Sequence, residues 1–170
     1  PFGTVTGCDL STLALRFCRK RGLSPLSQAT VVSLPFADES FDLITSFDVL
    51  YHRAVGDYGF ALEEFRRVLK PGGRLFLRLP AYDWLRGAHD EAIHTAHRFT
   101  VPELRQALTS AGLGIEKLSY ANTLLFPLAL GKRVAEKLLP AKTDSDIHTN
   151  PPWQNRLLAS FLYLEARWLS

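Results

Sequence analysis

Three groups of residues in this 170-residue chain have types and spacing suited to chemistry. Asp9 closes a short strand-like run over residues 4–9 and is followed by Leu10 and by Ser11, a good helix cap. A carboxylate at the end of a strand that feeds a helix can accept two hydrogen bonds from a ribose diol. Phe47, Asp48 and His52 leave the far end of a mostly apolar run, Phe41–Phe47. An imidazole placed like that of His52 is suited to act as a general base near neutral pH. The third group lies in residues 80–99, which are rich in histidine, aromatic and charged side chains. Loops of this composition on a rigid scaffold commonly carry function. A substrate lid is expected there, with Tyr82, Trp84, His89, His97 and Arg98 as its contacts; the alternative is a locally packed surface loop. His94 and His97 stand three apart, but no cysteine lies near and the order lacks a zinc-site pattern, so no metal is expected.

The elements that must position these groups follow from periodicity and punctuation. Ser11 caps a helix whose apolar face is Leu13, Ala14, Phe17 and Cys18, ending at Gly22. Residues 29–34 read as a weak strand and Phe41–Phe47 as a stronger one, apolar enough to be buried on both faces. Asp57 caps a helix with Tyr58, Ala61, Leu62, Phe65, Val68 and Leu69 on one stripe. Pro71-Gly72-Gly73 is expected to stop that helix and turn the chain into a strand over residues 74–79. Thr100-Val101-Pro102-Glu103 is a capping box opening a helix that Gly112 closes, and residues 114–120 are a last strand candidate. Strands alternating with helices imply a parallel, doubly wound sheet, whose ligands bind beyond the carboxyl ends of the strands.

Composition narrows the classes. Charged residues are 22% and the formal net charge is +3, so the chain is neither a disordered polyelectrolyte nor a basic nucleic-acid arm. Two cysteines, Cys8 and Cys18, are too few for a disulfide framework and read as buried thiols in a reducing, cytoplasmic setting. No apolar run approaches the roughly 18 residues of a membrane span, and no signal peptide is visible. The chain contains no methionine, opens on Pro1 just before a strand and ends at Ser170 inside an apolar helical pattern, so both ends read as cut.

These motifs carry a resemblance. Gly7-Cys8-Asp9-Leu10-Ser11 looks like the end of the second strand in class I S-adenosylmethionine-dependent methyltransferases of the type 11 group. Leu34-Pro35-Phe36, Ser40-Phe41-Asp42 and Val49-Leu50-Tyr51-His52 resemble that family's fourth-strand region. Arg67-Val68-Leu69-Lys70-Pro71-Gly72-Gly73 resembles the turn before its fifth strand, and the likeness covers about residues 4–120. The resemblance implies a Rossmann-like α/β fold and S-adenosyl-L-methionine as cofactor. It implies that Asp9 holds the ribose, that Leu10 packs on the adenosine, and that Phe47 and Asp48 lie near the methyl group. Where the family often has an acidic residue facing adenine, this chain has Thr30, with Gln28 and Ala29 before it. A Thr hydroxyl or Gln amide can still reach adenine by a hydrogen bond. Lys70 to Gly73 mark the family but read as scaffold.

The expected organisation is a partial α/β domain over residues 1–122, followed by a helical segment over 123–170 that covers the sheet or borders the substrate. A pocket wall for a hydrophobic substrate, or contact with a membrane surface, is the less favoured reading of that segment. The family's first strand, its glycine-rich cofactor loop and its last strand are expected to lie outside these residues. A sheet without that first strand would be split, and the chain alone would bind cofactor poorly. The expected function is methyl transfer to a small-molecule or lipid-like acceptor. The alternatives are a non-catalytic remnant acting as a binding or assembly module and, more distantly, a nicotinamide-dependent dehydrogenase.

Overall fold

The computed structural model describes residues 3–138 and 151–169. The chain is α/β, with two parallel two-stranded ladders. Strand β1 (Gly7–Asp9) pairs with β2 (Leu26–Gln28), Gly7 opposite Leu26 and Asp9 opposite Gln28. Strand β3 (Phe41–Phe47) pairs with β4 (Leu69–Arg78), Leu43 opposite Arg74 and Phe47 opposite Arg78. The ladders are separate among the described residues, as a split sheet requires.

Local chemistry sets the helix starts. Ser11 accepts a hydrogen bond from the Ala14 amide at the start of α1 (Thr12–Lys20), and Asp57 accepts from Gly59 at the start of α2 (Tyr58–Val68). Thr100 and Glu103 form both halves of the capping box of α4 (Val101–Ser110). Each cap satisfies an amide that the first helical turn leaves without a partner. Between β4 and α4 the chain makes a short turn over Asp83–Leu85 and the five-residue α3 (Ala88–Ala92). Helices α5 (Phe126–Leu138) and α6 (Pro152–Leu169) complete the chain. Residues 141–152 read from sequence as a polar, proline-containing loop, of which 141–150 lie outside the described residues.

The core forms where α2 and α4 pack on one face of β3 and β4. Leu50, Val55, Ala61, Leu62, Phe65, Phe99, Leu104 and Leu108 are its buried members, with Ile44, Leu75, Leu77 and Leu79 against them from the sheet side. Arg67 ties the approach to β3 onto α2. Its guanidinium donates to both Glu64 carboxylate oxygens, to Asp38 and to the Leu34 and Phe36 carbonyls, while Glu64 accepts from the Leu34 amide.

Five expectations need correction. Residues 29–34 are not a strand: β2 ends at Gln28, Ser33 donates back to the Thr30 carbonyl, and Val31, Val32 and Leu34 pack on the core from a turn. The β-branched Val31 and Val32 serve packing there rather than a ladder. The first strand covers only Gly7–Asp9 of residues 4–9. Pro71-Gly72-Gly73 is an irregularity inside β4 rather than a turn before it, because pairing with β3 already begins at Leu69. Gly72 has φ of 78°, and a Cβ on Gly73 would sit 2.9 Å from the Lys70 carbonyl and 3.1 Å from that of Phe41, so both positions favour glycine. Residues 114–120 form no strand; Ile115 and Leu118 reach the core from irregular chain. Cys8 is exposed and Cys18 half-buried, not buried thiols, since a three-residue two-stranded ladder leaves a face uncovered.

Candidate functional site

The carboxyl ends of β1, β2 and β3 open onto one cleft of about 460 Å³. Cys8, Asp9, Leu10 and Ser11 line it from β1, Ala29, Thr30 and Val31 from the turn after β2, and Asp48, Val49, His52, Ala54 and Val55 from the chain after β3. Asp9, Leu10, Thr30, Asp48 and His52, expected from sequence, are thus brought together.

Their surroundings separate their roles. One Asp9 carboxylate oxygen accepts from the Ser11 amide at 2.7 Å, which fixes the side chain at the mouth of α1. Gln28 does not line the cleft; its amide donates to the Leu10 carbonyl at 3.2 Å and so holds the β1–α1 connection in place. Asp48 has φ of 55°, and its carboxylate is paired with Arg78 from the neighbouring strand. The same guanidinium lies 5.4 Å from the centroid of the Phe47 ring, which meets Phe76 edge-on at 5.7 Å. Phe47 is therefore on the outer face of the β3/β4 ladder and not among the cleft residues. Arg78 was not singled out from sequence. Its signal was register: Phe47 and Arg78 end their strands as direct partners.

His52 caps the turn Arg53–Val55, its Nδ1 accepting from the Ala54 amide at 3.0 Å. With Nδ1 engaged as an acceptor, the neutral ring carries its proton on Nε2 and offers a donor rather than a base. That geometry runs against the general-base expectation.

The loop of residues 80–99 folds on itself. Asp90 is 2% exposed, and Arg98 binds it through Nε at 2.8 Å and Nη2 at 3.1 Å while donating to the Ala81 carbonyl. Burial pushes the Asp90 carboxyl up, but the Arg98 hydrogen bonds and the Gly87 amide outweigh it and hold it below its ordinary range. Arg98 is thus committed inside the loop and is not available as a substrate contact. His97 spans two carboxylates, Nδ1 at 3.0 Å from Asp83 and Nε2 at 2.6 Å from Glu103, and its ring packs against Tyr58 and Phe99. It fastens the loop to α4. The His89 side chain lies outside the described residues.

The remaining two candidates meet in an aromatic group. Tyr82, at φ of 63°, stacks on Tyr120 with centroids 5.0 Å apart and lies 5.7 Å from Trp84. Phe126, at the start of α5, meets Trp84 edge-on at 6.1 Å, and Trp84 remains half exposed. Tyr120 and Phe126 escaped the sequence reading because nothing in their own spacing tied them to the loop. Among the described residues no cluster of His, Cys, Asp and Glu could hold a metal ion.

A family model described as a methyltransferase domain matches residues 1–77. A demethylmenaquinone methyltransferase of Corynebacterium kroppenstedtii is 46% identical over 72 residues, which are 42% of this chain and 30% of that protein. One of Staphylococcus aureus is 43% identical over 77 residues, 43% of this chain and 31% of that protein. The chain thus spans under a third of the length of these curated relatives. A solved S-adenosylmethionine-dependent methyltransferase of Methanosarcina mazei superposes with a TM-score of 0.51 at 28% identity, covering 62% of this chain and 67% of that one. Another, from Mesorhizobium loti, reaches a TM-score of 0.56 at 22% identity over 78% of this chain and 74% of that one, a likeness of fold. With parallel strands, the cleft at their carboxyl ends and these matches in hand, the chain shares the α/β fold of these solved S-adenosylmethionine-dependent methyltransferases, and its first 77 residues match the methyltransferase-domain model.

Proposed function

We propose that this chain contributes the ribose- and adenine-facing side of a methyltransferase that uses S-adenosyl-L-methionine and acts on a small apolar acceptor of the quinone class. The observation that carries the reading is the convergence of Asp9, Leu10, Thr30, Asp48 and His52 on one cleft at the carboxyl ends of the strands. The residues suit the cofactor. Asp9 has a carboxylate oxygen beyond the one held by Ser11, fit to accept from a ribose hydroxyl. Leu10 is an exposed apolar side chain beside it, and the Thr30 hydroxyl is a donor and acceptor for adenine.

When bound, the cofactor supplies an electrophilic methyl group on a sulfonium. The protein's part is to hold the acceptor in line and to exclude water. His52, with Nδ1 occupied, acts as an Nε2–H donor that orients rather than as a proton acceptor. Support for a quinone-like acceptor comes from the demethylmenaquinone methyltransferases that match, and from Tyr82 and Trp84, a half-exposed aromatic pair suited to a planar ring.

The test is calorimetric titration with S-adenosylhomocysteine. Weak binding, above micromolar, is expected for the 170 residues alone, weakened at least tenfold further by Asp9→Ala. Equal binding by wild type and Asp9→Ala would remove the ribose role. In a methyl-transfer assay on the full-length protein, His52→Gln should keep most of the rate, because its amide still donates. Loss of the rate with a shifted pH profile would restore the base reading.

A further inference from the structure

One imidazole joins the turn that carries Tyr82 and Trp84 to α4. His97 Nδ1 lies 3.0 Å from an Asp83 carboxylate oxygen, and its Nε2 lies 2.6 Å from one of Glu103. A neutral imidazole has one N–H donor and one lone pair, and an ionised carboxylate only accepts. Both contacts are hydrogen bonds only when the ring carries two protons, and each is then charge-assisted. The ring itself is held by packing: it stacks on Tyr58 of α2, 8° from parallel, and meets Phe99 edge-on at 4.9 Å.

The groups facing the ring leave its second proton as the variable one. Asp83 also accepts from the Arg86 guanidinium and the Arg98 amide. Burial pushes the Asp83 carboxyl up, but those bonds and the His97 charge outweigh it and hold it below its ordinary range, so it is an anion at neutral pH. Glu103 also accepts from the Tyr58 hydroxyl at 3.3 Å. Burial, and then the Glu103 charge, push the Tyr58 phenol up, so it remains a neutral donor. The Arg98 guanidinium is committed to Asp90. His97, Asp83 and Glu103 are each partly exposed, so water can deliver and remove the proton. Asp83 stands between Tyr82 and Trp84 in the chain, so what holds Asp83 sets both rings. The far side of the loop is stitched to the chain around the cleft residue His52, Ala96 donating to the Tyr51 carbonyl at 2.8 Å and Arg53 to that of His94 at 3.0 Å. We propose that His97 is a proton-operated latch: as an imidazolium it ties the aromatic turn to α4, and loss of one ring proton frees the turn. The latch stands apart from the methyl-transfer reading, since its test requires neither cofactor nor acceptor.

The experiment is amide hydrogen exchange of the full-length protein from about pH 5.5 to about pH 8.5, corrected for intrinsic rates, with α2 as the internal reference. In wild type, residues 82–86 and Arg98 should lose about tenfold in protection as pH rises, the low end for a charge-assisted hydrogen bond because the site is partly exposed. Protection of α2 should not change. His97→Gln carries its donors on a single nitrogen, cannot span both carboxylates, and should show the loosened level at every pH. Glu103→Gln should stay latched at every pH, because its amide donates to Nε2 of a neutral ring while Nδ1–H still reaches Asp83. Wild-type protection that ignores pH, or a Glu103→Gln profile that falls as wild type does, would overturn the proposal. If Glu103→Gln misfolds, His97→Gln decides it: a flat profile supports the latch, and a fall equal to that of wild type sinks it.

Discussion

Helices α2 and α6 have similar apolar periodicity and opposite fates. In α2 the stripe Ala61, Leu62, Phe65 and Val68 is buried against β3, β4 and α4. In α6 the stripe from Trp153 to Trp168 faces outward, and the one fully buried side chain is a carboxylate, Glu165. Burial in α2 is nonspecific and area-driven, whereas α6 is anchored by a single acid. That acid accepts from the Thr123 amide at 2.8 Å and hydroxyl at 3.0 Å and from the Leu124 amide at 3.3 Å, just ahead of α5. Periodicity thus locates a helix and its apolar face, but the choice between core and surface depends on whether another element arrives to cover it.

The sharpest break of this contrast is Leu62→Ala. Its fully buried side chain should cost about 3 kcal/mol in denaturant unfolding, from lost transfer energy plus a cavity. A loss near zero would mean that α2 is no more than a surface helix. Next is Glu165→Ala, expected to cost about 2 kcal/mol by stranding the Thr123 and Leu124 donors. The effect should appear as faster amide exchange around residues 122–126 and not in α2. Acid should act at both places. Hydrogen bonds from Arg67 hold the Glu64 carboxyl below its ordinary range. Glu165 is pushed up by burial but held lower, on balance, by its Thr123 and Leu124 bonds. Groups so depressed contribute stability that is complete above the unfolded carboxylate pKa, about 4, and that is lost as pH falls through the folded values. Melting temperature should therefore fall on acidification, by less in Glu165→Gln than in wild type. The smallest effect belongs to the exposed Leu164, whose change to Ala should stay within about 0.5 kcal/mol. A cost equal to that of Leu62→Ala would erase the contrast.

What could be read from the residues divides along the same line. Caps at Ser11, Asp57 and Thr100 were legible because they depend on side chains a few positions apart. Strands over residues 41–47 and 74–79 were legible as apolar runs bounded by Asp48 and Pro80, and the structure pairs them as β3 and β4. Asp9, Leu10, Asp48 and His52 were legible as strand-end residues, because a parallel sheet sends its strand ends to one edge, whereas Thr30 came from the family resemblance, since residues 29–34 read as a strand. The Arg67 clamp was not, since three of its five acceptor atoms lie in residues 34–38, and only the two on Glu64 have helical spacing to it. Arg98 and His97 read as substrate contacts because a cluster of polar side chains looks the same whether it faces a ligand or other protein groups. The structure gives them Asp90, and Asp83 with Glu103.

The glycine irregularity in β4 carries a consequence of parity. Lys70 to Gly73 stand between two paired residues, Leu69 opposite Phe41 and Arg74 opposite Leu43. Beyond it Leu75, Leu77 and Leu79 face the core, while Arg74, Phe76 and Arg78 face out. Those four residues thus act as a phase setter. Removing a single one would exchange the two faces of the strand, turning three leucines toward solvent and two arginines inward, and would carry Arg78 away from Asp48 at the rim of the cleft.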